Sequence, residues 1–226
     1  MSSILDKIVA QTARDLQKRQ NKATLKDFES FKGFEKPRRD FNAALQRTGE
    51  VTVIAEVKKA SPSKGIIRED FHPINIALGY EEGGAAAISV LTDKPFFKGS
   101  LEYLWKIASR VTVPCLRKDF IIDPYQIAEA RAYGADAVLL IATICSAAQL
   151  SELQHAAHEY GIQALTECYS EEDFNKVDFE LTPVIGVNNR DLNTFEVDVH
   201  RGMELLNRAP EGVIKVSESG LNSPED

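Results

Sequence analysis

VTVIAEVKKASPS, residues 51–63, is a short apolar, β-branched run that breaks into two lysines and a Ser-Pro-Ser turn. It is too short for a helix, and its nearly continuous apolar character suits a parallel strand covered on both faces. An open sheet that binds a dinucleotide would follow its first strand with a G-x-G-x-x-G turn. Lys58-Lys59-Ala60-Ser61-Pro62-Ser63 stands there instead. That choice of turn favours a (β/α) barrel.

Six further runs share this texture: AAISVL from Ala86, VPCLRK from Val113, ADAVLLIA from Ala135, IQALTEC from Ile162, PVIGVN from Pro183 and GVIKVS from Gly212. Helical periodicity between them predicts helices over residues 74–82, 100–109, 124–133, 147–160 and 200–207, with Pro124 at a first-turn position. The fold class is α/β, a (β/α)8 TIM barrel with about seven strands present. Upstream, Leu5, Ile8, Val9, Ala13 and Leu16 recur at helical spacing and predict an amphipathic helix over 3–20. A short helix is expected at 41–46, after the basic Lys36-Pro37-Arg38-Arg39. Residues 1–226 thus read as one barrel domain, with 1–48 an amino-terminal helical extension and 49–226 barrel units 1–7. The sequence leaves no room for an eighth unit after the seventh run, so a truncated barrel with unpaired edges on strands 1 and 7 is expected.

A chain of 226 residues can bury one sizeable core, and 43% apolar with 8% aromatic residues is a folded composition. The net charge of −7 points away from a nucleic-acid partner. The amino terminus has no signal-peptide core and no stretch reaches the length of a membrane span, so a cytoplasmic location without membrane contact is expected. Cys115, Cys145 and Cys168 show no C-x-x-C pair and lie in or beside apolar runs, as buried thiols do. His72, His155, His158 and His200 have no carboxylate partner at ligand spacing, so no metal is expected. Neither a G-x-S-x-G elbow nor an activated Cys is evident.

In α/β barrels the reacting groups collect at the carboxyl ends of the strands. Here those ends read Glu56-Val57-Lys58, Leu91-Thr92-Asp93, Arg117-Lys118-Asp119, Thr166-Glu167, Asn188-Asn189-Arg190-Asp191 and Ser217-Glu218-Ser219-Gly220. Taken singly, such a residue is usually a solvated loop residue or a helix cap. Six together gather cations and carboxylates into one partly desolvated mouth, where pKa values move. Glu56 and Lys58 are two apart and share a face directed into the mouth, and Asn188 and Arg190 repeat that spacing. A lysine there, beside another ammonium or out of water, can fall in pKa far enough to exchange protons. Ser219-Gly220, with Arg190, Ser61 and the Lys-rich first loop, points to an anion site.

Long stretches of the chain resemble the indole-3-glycerol phosphate synthase family. They are IAEVKKASPSKGIIREDFHP (54–73), AISVLTDKPFFKGS (87–100) and LRKDFIIDPYQIAEARAYGADAVLLI (116–141). ALTECYSEEDF (164–174), VIGVNNRDLNTFEVD (184–198) and VSESGLNSPED (216–226) follow in the same order. The resemblance implies conversion of 1-(2-carboxyphenylamino)-1-deoxyribulose 5-phosphate into indole-3-glycerol phosphate, with loss of CO2 and water, in tryptophan biosynthesis. It implies Lys118 as general acid, Glu167 as its acid–base partner in dehydration, Lys58 beside an anionic end of the substrate and Glu56 holding the lysines. It further implies Asn188 orienting the sugar, Phe97 against the aromatic ring and Glu218 as another carboxylate of the mouth. Arg190, Ser61, Ser219 and Gly220 would hold the phosphate. No cofactor or metal is implied. A fusion or association with phosphoribosylanthranilate isomerase belongs to the same implication. Family members end in an eighth strand that completes the phosphate site, which leaves the activity of this chain open. Two rivals stand beside this reading: another phosphosugar isomerase barrel, and a non-catalytic barrel fragment.

Overall fold

A computed structural model describes residues 3–47, 49–191, 194, 196–221 and 223. Leu192, Asn193, Phe195, Asn222 and residues 224–226, which two of the quoted motifs include, lie outside the described residues, as do Met1, Ser2 and Thr48 of the extension.

Three helices come first: α1 (Ile4–Gln20), α2 (Leu25–Glu29) and α3 (Phe41–Leu45). Ser3 starts α1 through a reciprocal capping box with Asp6. The periodicity placed α1 and α3 well; α2, only 5 residues long, carries too little pattern to be seen. On α1 the buried stripe is Leu5, Ile8, Thr12 and Leu16, whereas Ala13 is exposed, a correction of one helical position.

Then follow β1 (Ile54–Val57), a ribbon of β2 (Ala60–Ser61) and β3 (Gly65–Ile66), α4 (Pro73–Glu82), β4 (Ala87–Leu91) and α5 (Leu101–Ala108). The chain continues through β5 (Cys115–Lys118), α6 (Pro124–Ala132), β6 (Ala137–Ile141), a 3-10 turn at Ala142–Ile144, and α7 (Ala147–Glu159). It ends with β7 (Gln163–Cys168), α8 (Glu171–Phe174), β8 (Val184–Asn188), α9 (Val199–Asn207) and β9 (Ile214–Glu218). All seven runs read as strands are strands, and they form one parallel sheet in the order β1-β4-β5-β6-β7-β8-β9. Each is neighbour to the next in sequence, which is the winding of a (β/α) barrel rather than of an open sheet with a strand-order reversal. The small β2–β3 ribbon in the Lys-rich first loop was not foreseen.

Alternation along the strands divides the core in two. Ile88, Val90, Val138, Leu140 and Ile185 face outward under the helices. Ala87, Leu116, Leu139, Leu165 and Val184 face inward, with Leu5, Ile8, Phe41 and Leu45 of the extension in the same cluster. Both faces are therefore apolar, which is why the strands lack a polar alternation in sequence. The extension is fixed at the amino-terminal ends of the strands: Phe41 N–H donates to Gln163 Oε1 at 2.5 Å, and Arg39 pairs with Asp136 at 2.7 Å. Farther along, Leu16 packs with Phe28, Tyr125 and Ala128 against α6.

Arg117 corrects the reading of its strand end as part of the mouth. Lying between inward Leu116 and Lys118, it points outward and is fully buried. Its guanidinium meets Asp119 and Glu129, each at 2.9 Å, and donates to the Gln126 carbonyl at 2.7 Å. Thr92 donates to Asp119 at 2.5 Å, and Arg19 of α1 reaches Glu129 at 3.3 Å. Arg117, which sequence alone set in the mouth, thus staples β5 to α6 and, through Glu129, to Arg19 of α1, while Asp119, which it binds, also lines the cavity. Removing one member of a buried ion cluster leaves the others uncompensated. Arg117→Leu should lower unfolding stability by about 3–5 kcal/mol in urea titration, and a loss below about 1 kcal/mol would contradict this reading.

Candidate active site

The carboxyl ends of β1, β5, β7, β8 and β9 open onto one cavity of about 1090 Å³. Glu56, Lys58, Lys118, Glu167, Asn188 and Glu218 all line it, so the acid–base residues singled out in sequence are together. Lys118 is the hub. Its ammonium lies 2.8 Å from Glu218, 3.6 Å from Glu167 and 3.8 Å from Glu56. Glu56 also makes a tight ion pair with Lys58. Inward side chains of alternate residues, brought round by the curl of the sheet, are enough to produce this cluster.

The electrostatics follow from counting charges. Three carboxylates face two ammonium groups in a largely buried place. Burial opposes the charge on Lys118, but Glu218, Glu167 and Glu56 overcome it, so its pKa is raised and the ammonium is held. The sequence-based expectation of a lowered lysine pKa is therefore corrected: the neighbours of Lys118 are carboxylates, not another cation. Glu56 is held below the usual carboxylate range, because Lys118 and Lys58 outweigh its burial. Glu167 goes the other way. Burial and then the Glu218 charge push it up to about 8, against the opposing pull of Lys118 and of an Asn188 hydrogen bond. The surplus negative charge of the cluster is thus relieved by a proton on Glu167.

Ser61, Arg190 and Ser219 line the rim of the same cavity, with Lys64 and Ser63 beside Ser61. Gly220 is not among the lining residues; its left-handed backbone (φ 76°) passes against Val197, which leaves no room for a Cβ. Phe97 lines the cavity and packs on Phe120 with ring centroids 6.0 Å apart. The end of β4 contributes no carboxylate to the cluster: Asp93 instead accepts from Phe96 and Phe97 N–H at 2.8 and 3.0 Å, and so shapes the loop that carries Phe97. Sequence reasoning missed Ile4, Leu5 and Ile8 of the extension as cavity walls, because periodicity shows that a helix is amphipathic but not what it covers.

The three cysteines are free and buried, and burial raises Cys115 to about 12 and Cys145 to about 11, as expected of inert thiols. His72 does have a carboxylate neighbour, Asp70 at 2.8 Å, contrary to the sequence reading, but both are solvent-exposed. Among the described residues no group of three or more His, Cys, Asp or Glu converges as a metal site. No helix among them is long and apolar enough to cross a membrane.

Residues 5–226 match the sequence model of the family described as indole-3-glycerol phosphate synthase. The chain belongs to that family. A family member from Salinibacter ruber is 49% identical over 225 residues, covering 99% of this chain and 83% of its own length. One from Rhodopirellula baltica is 53% identical over 188 residues, 83% of this chain and 73% of that one. A tryptophan synthase complex from Pyrococcus furiosus contains a chain that superposes with a TM-score of 0.53 at 15% identity, over 77% of this chain and 80% of its own. At that identity the likeness shows the barrel fold alone. The chain is thus a carboxy-lyase that makes indole-3-glycerol phosphate for tryptophan biosynthesis, and the isomerase reading falls away.

The raised Glu167 has a thermodynamic signature. Its folded pKa of about 8 lies above the ordinary 4.5, so its contribution to stability is full below pH 4.5 and is lost as pH rises through about 8. Glu167→Gln, which cannot ionise, should therefore gain in melting temperature relative to the parent as pH rises across that window. A difference that stays flat from pH 4.5 to about 8 would contradict the assignment.

Proposed function

We propose that Lys118 is the general acid of the ring closure, with Glu167 its partner in the dehydration. The observation that carries this is the single ammonium set among Glu218, Glu167 and Glu56 at 2.8, 3.6 and 3.8 Å. The substrate's aromatic carbon, which bears the carboxylate, attacks the ketone carbon; the C=O π pair moves to oxygen and takes a proton from Lys118. An alkoxide is a far stronger base than an amine, so a strongly held ammonium still transfers downhill. The carboxylate then leaves as CO2 and returns its bonding pair to the ring. Finally the new hydroxyl departs as water with one proton supplied to it, while one is taken from the neighbouring carbon. Glu167, protonated at neutral pH with a value of about 8, is poised to supply or accept in that step.

Lys58, paired with Glu56 on the cavity wall, meets the substrate carboxylate, and Glu56 holds both lysines. Asn188, whose Oδ1 accepts from Arg190 N–H at 3.1 Å and whose amide nitrogen also bonds Glu167, has one amide N–H left to orient the sugar. Arg190, Ser61, Ser219 and the backbone at Gly220 hold the phosphate, and Phe97 packs against the aromatic ring. Every one of these steps can be driven by acid–base side chains of this chain, which supports a cofactor-free reaction. The same proposal takes residues 1–226 as one barrel domain with 1–48 as its extension, and places it in the cytoplasm. It includes fusion or association with phosphoribosylanthranilate isomerase, whose product would be this substrate.

Removing a general acid costs a large part of the chemical step. Lys118→Met should cut the formation of indole fluorescence by about 10²–10⁴-fold with little change in KM. Turnover within about tenfold of the parent would remove Lys118 from that role.

A further inference from the structure

Asn189 follows Asn188 but, by alternation, points away from the cavity, and it is only 1% exposed. It grips three consecutive residues at the end of β9. Its backbone N–H donates to the Glu218 carbonyl at 2.8 Å. Its side-chain Nδ2 donates to Ser217 Oγ at 2.9 Å and to the Ser219 carbonyl at 3.0 Å. Its own carbonyl accepts from Asp198 N–H at 2.9 Å, where α9 begins.

What it holds is unusual. Ser219 has φ 67°, one of two non-glycine residues in the left-handed region among the described residues, the other being Lys98. Ordinary L-residues avoid that conformation unless the surroundings impose it. The facing helix is shaped around the amide: a Cβ at Gly202 of α9 would collide with Asn189 Oδ1, which itself has no hydrogen-bond partner among the described residues. A buried amide oxygen left unpaired is unfavourable, and an apolar residue would fill this place more easily. The amide is retained where its two donors define the backbone that carries Glu218 and Ser219.

We infer that Asn189 is a positioning residue for the reaction: it sets the Ser217–Ser219 backbone so that Glu218 meets Lys118 and Ser219 faces the phosphate. The inference rests on the proposed role of Ser219 and Arg190 at the phosphate. It touches no substrate atom and acts only through β9.

Steady-state kinetics on the full chain, with inhibition by inorganic phosphate, tests it in Asn189→Ala, Ser217→Ala and Arg190→Ala. Losing the paired donors should raise KM and the phosphate inhibition constant about tenfold in Asn189→Ala, with a smaller fall in kcat. Ser217→Ala, which loses one of the two acceptors and disturbs folding least, should raise both about two- to fivefold. An Asn189→Ala protein that melts lower but keeps KM within about twofold overturns the positioning role. If that variant does not fold, an unchanged KM in Ser217→Ala overturns it instead. An unchanged KM in Arg190→Ala together with a raised KM in Asn189→Ala removes the phosphate assignment and leaves the positioning role standing.

Discussion

Lys118 stands on β5, two strands from one edge of the sheet and four from the other, yet its ammonium reaches Glu56 on one edge strand and Glu218 on the other. No flat sheet permits that. The strands must curl until the inward side chains of β1 and β9 converge on β5, so the ion cluster and the curvature require one another. The inner apolar layer below the cluster has Phe41 and Leu45 of the extension packed into it from the opposite end. The buried Arg117 cluster works on the other face of the sheet, tying β5 outward to α6 and α1 while Lys118, one residue on, points in.

The two networks give a division of labour along a single strand. Arg117 balances Asp119 and Glu129 and answers for stability. Lys118 faces a surplus of carboxylate, which keeps its own proton and drives a second one onto Glu167. A ring-closing decarboxylation followed by dehydration needs proton donors in a water-poor place, and the cavity holds two of them side by side. The extension matters to this cavity too, since Ile4, Leu5 and Ile8 supply apolar wall to the space that Phe97 also lines.

Much of this was legible in the sequence. Seven apolar runs at βα spacing identified the barrel, because strands covered on both faces lose polar alternation and show as continuous apolar blocks. The strand-end residues named Lys118, Glu56, Lys58, Glu167, Asn188 and Glu218, since barrel topology alone decides which end carries the chemistry. What sequence did not reveal was direction and partnership. Adjacent Arg117 and Lys118 look alike as charges, but one position along a strand separates the helical layer from the mouth. The sign of the Lys118 shift was likewise hidden, because it depends on strands that lie far apart in sequence, with Glu218 100 residues from Lys118. Asn189 was passed over beside Asn188 for the same reason: its importance lies in a turn of β9 and a bare glycine of α9.

The central claim is that three carboxylates hold the Lys118 ammonium charged and thereby make it the donor. It is tested most directly by following the Lys118 side-chain nitrogen by NMR from about pH 6 to about pH 11, across the ordinary lysine range. The account predicts no titration of that nitrogen below the ordinary lysine value of 10.5, and a downward shift of its pKa on Glu218→Gln. A midpoint well below 10.5 in the parent protein would contradict it.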